Sequence, residues 1–182
     1  MNGEEAAAAY LSIMDFRTAT LNDVKALNEL VNSAYRGDSS RIGWTTEADL
    51  LDGIRTSEDS LAKMISRPNA VVLLAEDDGQ LQGCVYLEQQ DEAIYLGMLT
   101  VKPELQGKGL GAQLMSASEV HAKKTGCKKI KMTVITVRDE LIAYYKRKGF
   151  VDTGFREDFP SDPAFGIPKR PLQFMVMEKT LD

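Results

Sequence analysis

The stretch "LTVKPELQGKGLGAQL" constrains this chain more than any other. An apolar run ends at Val101, a proline follows at Pro103, and Gly107, Gly109 and Gly111 lead into a segment with helical spacing. Glycine inside an element costs up to about 1 kcal/mol relative to alanine. Three of them at a strand-to-helix junction mean that the chain turns sharply or that something comes very close to its backbone. A tight loop alone satisfies the first condition. A dinucleotide fingerprint satisfies the second, because Gly107, Gly109 and Ala112 fit G-x-G-x-x-A. Its context is missing, however: "KPELQ" separates strand from glycines, Arg138 stands where an acidic residue should close the next strand, and no repeated βαβαβ halves exist. The third reading is a cradle of amides. The first amides of a helix lack internal partners and carry the positive end of its dipole, so a diphosphate can sit there if no side chain covers them. Lys108 would add a point charge, or stay solvated.

Around this junction the chain alternates strands and helices. Leu21, Val24, Leu27, Leu30 and Val31 keep helical spacing, with Thr20 or Asn22 as the cap. "RGDSSRIGWTTE" is a loop by composition, Thr46 is expected to cap a helix over "EADLLDGIR", and "SEDSLAKMIS" forms a further turn or two. "AVVLLAE", "LQGCVYLEQQ" and "AIYLGMLTV" predict an antiparallel meander turning at "DDGQ" and "DE". After the glycines, Leu110, Leu114, Ala117 and His121 predict one helical stripe that stops at Gly126. "CKKIKMTVITV" reads as a strand and "DELIAYYKRK" as a helix ended by Gly149. "FVDTGFRE" and "LQFMVMEKTL" read as two last strands around a loop that holds four of the six prolines. The order β-α-α-β-β-β-α-β-α-β-β predicts an α/β fold with a mixed, mostly antiparallel sheet and flanking helices. The helix after the glycines joins two consecutive strands, so these should be parallel neighbours in a right-handed crossover.

Composition narrows the partners. The 182 residues suit one domain with a real core. Residues 1–13 are expected to be a frayed extension and 14–182 a single domain. A net charge of −5 argues against a nucleic-acid binder. "MNGEEAAAAYLSIM" places two glutamates where a secretory signal is basic, and no window is long and apolar enough for a membrane span. Cys84 and Cys127 lie apart in expected strands, there is a single histidine, and no CxxC occurs, so no metal is expected. Two free thiols suit a reducing cytoplasm.

"LTVKPELQGKGLG" resembles the signature of the GNAT N-acetyltransferase superfamily: a strand, Val-x-Pro, then Q/R-x-x-G-x-G/A, with Gln106, Gly109 and Gly111 at the motif positions. "YYKRKGF" is similar to that superfamily's second signature, and the element order matches from about residue 14 to 180. The resemblance implies a GNAT-like fold in which "YLGMLTV" and "KMTVITV" form a parallel pair that splays apart, with acetyl-CoA as co-substrate in the gap. Gly97 inside the first strand predicts a bulge that frees backbone groups of Leu99, Thr100 and Val101 for the pantetheine arm. The diphosphate would meet the backbone of Gly107, Lys108, Gly109, Leu110, Gly111 and Ala112, and Arg147 a CoA phosphate.

The implied reaction is direct attack of a primary amine on the thioester in a ternary complex. Tyr145 matches the general acid of many members. The strand that carries a glutamate in many members has none in its middle here; Glu88 on the neighbouring strand is a candidate base, beside a water chain that carries the proton or an amine that arrives neutral. Arg138 or Asp139 takes the place of an asparagine, with Asp139 also suited to cap the helix. Arg41 and Trp44 are expected at the acceptor, and Glu157 and Asp158 could attract its ammonium. A small-molecule amine is the first expectation, a protein lysine or N-terminal amine the second, and a CoA-binding module without turnover the third. Either a monomer or a homodimer fits.

Overall fold

A computed structural model describes residues 14–182, so the expectation for residues 1–13 lies outside the described residues. A seven-stranded sheet runs through them in the order β1-β3-β4-β5-β6-β9-β7. Its strands are β1 (Asp15–Thr18), β3 (Ala70–Asp77), β4 (Gln80–Gln90), β5 (Ala93–Val101), β6 (Lys129–Ile135), β7 (Val151–Asp158) and β9 (Gln173–Thr180). Four helices flank them: α1 (Val24–Tyr35), α2 (Glu58–Ser66), α3 (Leu110–Lys124) and α4 (Asp139–Arg147). Among the described residues only the β5–β6 pair is parallel, and α3 makes the crossover.

Alternation along the central strands builds two apolar layers. On one face Val72, Leu74, Cys84, Tyr86 and Met98 pack with Leu27, Leu30 and Val31 of α1 and Leu61 of α2. On the other Val85, Leu87, Ile94, Leu96, Ile130 and Met132 pack with Leu110 and Leu114 of α3 and with Ile142 and Tyr145 of α4. Gly83 lets α3 lie close: a Cβ there would stand 2.8 Å from the Thr100 carbonyl oxygen and 3.1 Å from Leu114 Cδ1.

Four local expectations change. "EADLLDGIR" is not a helix. It makes a turn and then β2 (Leu51–Asp52), which pairs with β8 (Ile167–Pro168). The chain buries Leu51 against Ile135 and Leu172, and Gly53 turns it at φ +81°. The preceding loop contains a 3-10 turn over Asp38–Ile42. Cys127 precedes its strand, which begins at Lys129, although it is a buried free thiol like Cys84. The buried stripe of α3 is Leu110, Leu114, Met115, Ser118 and Ala122 rather than one through Ala117 and His121, because the Ser118 hydroxyl donates to the Leu114 carbonyl at 2.7 Å and so can face the sheet.

Candidate active site

The β5–β6 ladder is short. Its register runs from Ala93 opposite Lys129 to Tyr95 opposite Lys131 and ends there. From Leu96 onward the edge of β5 that faces β6 has no strand partner among the described residues, and Leu96–Leu99 and Met132–Ile135 line a cavity of about 570 Å³. On its other side β5 stays paired with β4, but Tyr86 opposes Gly97 and Cys84 opposes Thr100, so Val85 alone faces Met98 and Leu99. This is the expected bulge, moved one residue along. The left-handed residue is Met98, at φ +52°. Gly97 answers to a different neighbour, the Tyr95 ring, which would lie 2.9 Å from a Cβ at that position. The Thr100 hydroxyl donates to the Met98 carbonyl at 2.9 Å and the buried Tyr35 hydroxyl donates to the Leu99 carbonyl, so side chains replace the ladder bonds that the bulge removes. Burial pushes the Tyr35 phenol up to about 12, which keeps it a donor.

Beyond β5, a 3-10 turn over Pro103–Leu105 leads to the glycines. Gly107 and Gly109 take φ +79° and +93°, the left-handed region, and Gly109 caps α3. The first helical amide with a backbone partner is that of Gln113, which donates to the Gly109 carbonyl at 3.1 Å. The amides of Gly107 through Ala112 donate to no described residue, so a row of donors stands open. Gln106 fastens the loop: its side-chain amide donates to the Val101 carbonyl at 3.1 Å and to the Thr45 hydroxyl at 2.8 Å, and its oxygen accepts from the Thr45 amide at 3.2 Å.

These elements wall a second cavity of about 280 Å³. Of the expected cofactor residues, Leu99, Val101, Gln106, Gly107, Gly109, Leu110, Gly111 and Ala112 line it, whereas Thr100, Lys108 and Arg147 do not. Arg147 lies over the Tyr144 ring at 6.0 Å, and its neighbour Lys148 lines the cavity instead. Trp44 also belongs here, edge-on to Tyr144 at 5.5 Å, because the Thr45–Gln106 clasp draws its loop toward the glycines. Arg41 lines neither cavity and is exposed in an ion pair with Asp49 at 2.9 Å.

Tyr145 lines both cavities. Its ring is buried between Tyr144 and Phe150, and burial raises its phenol well above the ordinary range, so it remains protonated. Glu88 stands on the larger cavity, where its carboxylate accepts from the Tyr86 hydroxyl at 2.5 Å and from Arg67 at 2.8 Å. The hydrogen bond from Tyr86, more than the charge of Arg67, holds its pKa below the usual carboxylate range. Glu157 shares this cavity, while Asp158 lies outside it and accepts from Gln173 at 3.0 Å. Arg138, not Asp139, occupies the cap position of α4, and its side chain caps nothing. Sequence reasoning did not single out Tyr35, Arg36, Glu47 or Arg55, which also line the larger cavity. An arginine and a tyrosine ending an amphipathic helix were the available signal.

An open amide row, a gap in the sheet and a buried tyrosine where two cavities meet invite comparison with known proteins. Residues 26–150 match the acetyltransferase (GNAT) family. The chain belongs to that family. As a GNAT protein it is also similar to mycothiol acetyltransferase of Propionibacterium freudenreichii subsp. shermanii, 27% identical over 125 residues, or 62% of this chain. The chain spans only 38% of that relative's length. Among solved structures, ribosomal-protein-S18-alanine N-acetyltransferase from Escherichia coli superposes with a TM-score of 0.70 at 15% identity, over 93% of this chain and 94% of the other. PaiA N-acetyltransferase from Thermoplasma acidophilum, solved in complex with coenzyme A, gives 0.66 at 21% identity over 92% and 99%. At these identities the two structures bear on the fold alone, and they agree with the mixed sheet described above.

Proposed function

We propose that this protein transfers the acetyl group of acetyl-CoA to the primary amine of a small molecule, by direct attack in a ternary complex in the cytoplasm. The observation that carries the reading is the meeting of the two cavities at Tyr145, beside the unpaired edge of β5. Acetyl-CoA supplies the activated thioester. The open amides of Gly107 to Ala112 suit its diphosphate, and no side chain of Gly107, Gly109 or Gly111 covers them. The free edge of β5 offers backbone partners to an extended arm, and an amide near Leu99 polarises the thioester carbonyl. Tyr145, kept protonated by burial, gives its phenolic proton to the departing sulfur and regains one from the acetylated nitrogen, which sheds its second proton as the amide forms. Glu88 draws in and orients the ammonium group. The bonds from Tyr86 and Arg67 weaken it as a base, so its part is to pass the proton onward to solvent rather than to hold it.

The larger cavity favours a small acceptor. Its volume falls within the range of small-molecule pockets, and Phe159, Pro160, Ala164 and Phe165 of the proline-rich loop help to enclose it. Release of free thiol from acetyl-CoA, followed across polyamines, amino acids, aminoglycosides and peptides, tests the proposal. Release is expected with some small amines and not with peptides. Transfer to peptides alone would make the protein a protein acetyltransferase, and CoA binding without release by any amine would make it a binding module.

A further inference from the structure

The larger cavity holds an unbalanced buried charge. Arg36, Arg55, Arg67, Lys131 and Arg138 line it, against Glu47, Glu88 and Glu157. Arg67 is paired with Glu88. Arg36 and Arg138 both lean on Glu47, and the three form a nearly dry group: their side chains are 6%, 11% and 13% exposed. Glu47 accepts a hydrogen bond from Arg36, which also donates to the Phe165 carbonyl at 3.2 Å. The nearest Glu47 oxygen to Arg138 Nη1 is 3.6 Å away, beyond a hydrogen bond. Arg36 Nε and Arg138 Nη1 are buried with no hydrogen-bond partner among the described residues. One carboxylate therefore serves two guanidiniums, and one positive charge is left over beside the reaction cavity.

An uncompensated buried charge, and a buried N–H without an acceptor, are both strongly unfavourable. A chain does not place such a group on a cavity wall for packing, because an apolar residue of the same volume would pack better there. We infer that the acceptor carries its own anion: it is an amine that also bears a carboxylate or a comparable group of anionic oxygens, bound by Arg138 with Arg36 behind it. A planar guanidinium matches two such oxygens side by side. Anchoring that end leaves the amino group free to point at Glu88 and Tyr145. The same chemistry disfavours a lysine or chain terminus of a protein, whose nearest carboxyl group is locked in a peptide bond. The inference rests on the acetyl-transfer reading for its product but not for its binding step.

Matched pairs test it: amino acids against their primary amides, and aminoalkyl phosphonates against the plain alkylamines. For each pair both equilibrium binding to the CoA-loaded protein and acetyl-transfer kcat/KM are measured. The anionic member is expected to win by about 30-fold or more, the size of a lost buried charge contact. Preference for carboxylates or for phosphonates tells which anion the site takes. Arg138→Gln should bring the ratio within each pair close to one, and Arg138→Lys should restore part of it, which loss of folding would not do. If anionic members bind in preference but nothing is acetylated, the inference stands and the turnover reading falls. If acids and amides are acetylated alike, or if neither member of any pair binds in preference, the inference is overturned whatever the turnover.

Discussion

The two cavities are built from different materials. The smaller one is made of main chain and apolar surface contributed largely by a single segment, from Leu99 to Ala112, and its polar offering is a row of amides. The larger one adds charged side chains to an apolar lining, and these arrive from the loop after α1, the segments on either side of α2, β4, β6, the residue before α4 and β7. Amides are always present, so a site built from them needs only glycines that leave them uncovered. Side chains can be exchanged one at a time without disturbing the sheet, so the second cavity can be altered independently of the first. Tyr145 lines both.

Substitutions should separate these roles. Tyr145→Phe is expected to lower kcat by about 10²–10⁴-fold, the usual worth of a positioned acid, with nearly unchanged affinity for CoA. Stopped turnover and calorimetry check the two halves, and an unchanged kcat removes Tyr145 from the chemistry. Gly111→Glu should cut CoA affinity by about 10²-fold or more, because a like charge is set against the diphosphate. Gly111→Ala places a methyl at an ordinary 3.5 Å from the Tyr144 hydroxyl and should cost far less. Should both bind CoA like the parent, the amide row is not its site. Glu88→Gln acts on the other cavity, with an expected loss in kcat/KM of about five- to tenfold and no change in CoA binding, in keeping with one partly solvated ion contact. A fall in CoA affinity instead would mean that the cavities are not independent.

The pH dependence sharpens the contrast. Because burial keeps Tyr145 protonated, kcat/KM should rise with the free amine and show no downturn up to about pH 10, the range of an ordinary phenol. A basic limb assigned to the protein would argue for another acid. Far from both cavities, Arg17 donates to Asp23 and holds its pKa at about 2, against 3.8 for the free group. A depressed carboxylate contributes stability that is full above pH 3.8 and lost as the pH falls toward about 2. The urea midpoint should drop across that window, and Asp23→Asn should flatten the drop. This is the smallest expected effect and should leave both cavities untouched.

Most of the architecture was legible in the residues. Alternation in "AVVLLAE" and "LQGCVYLEQQ" and the glycine stops at 126 and 149 mark real elements, and the left-handed Gly109 sits at a motif position. The errors have a common cause. "EADLLDGIR" has helical composition, but Leu51 is claimed by Ile135 and Leu172, which are distant in sequence. Trp44 and Arg41, neighbours in one loop, part company because Thr45 is bound to Gln106 while Arg41 reaches Asp49.

The open row of amides could be expected from the string of letters because its requirements are local: bare glycine, a strand before and a helix after. The shared carboxylate of Glu47 could not. Residues 36, 47 and 138 come together only when β6 and α4 fold over the end of α1, and no spacing along the chain records that encounter. Local conformational preference is written within a few residues, whereas the balance of buried charge depends on which distant side chains share one dry volume.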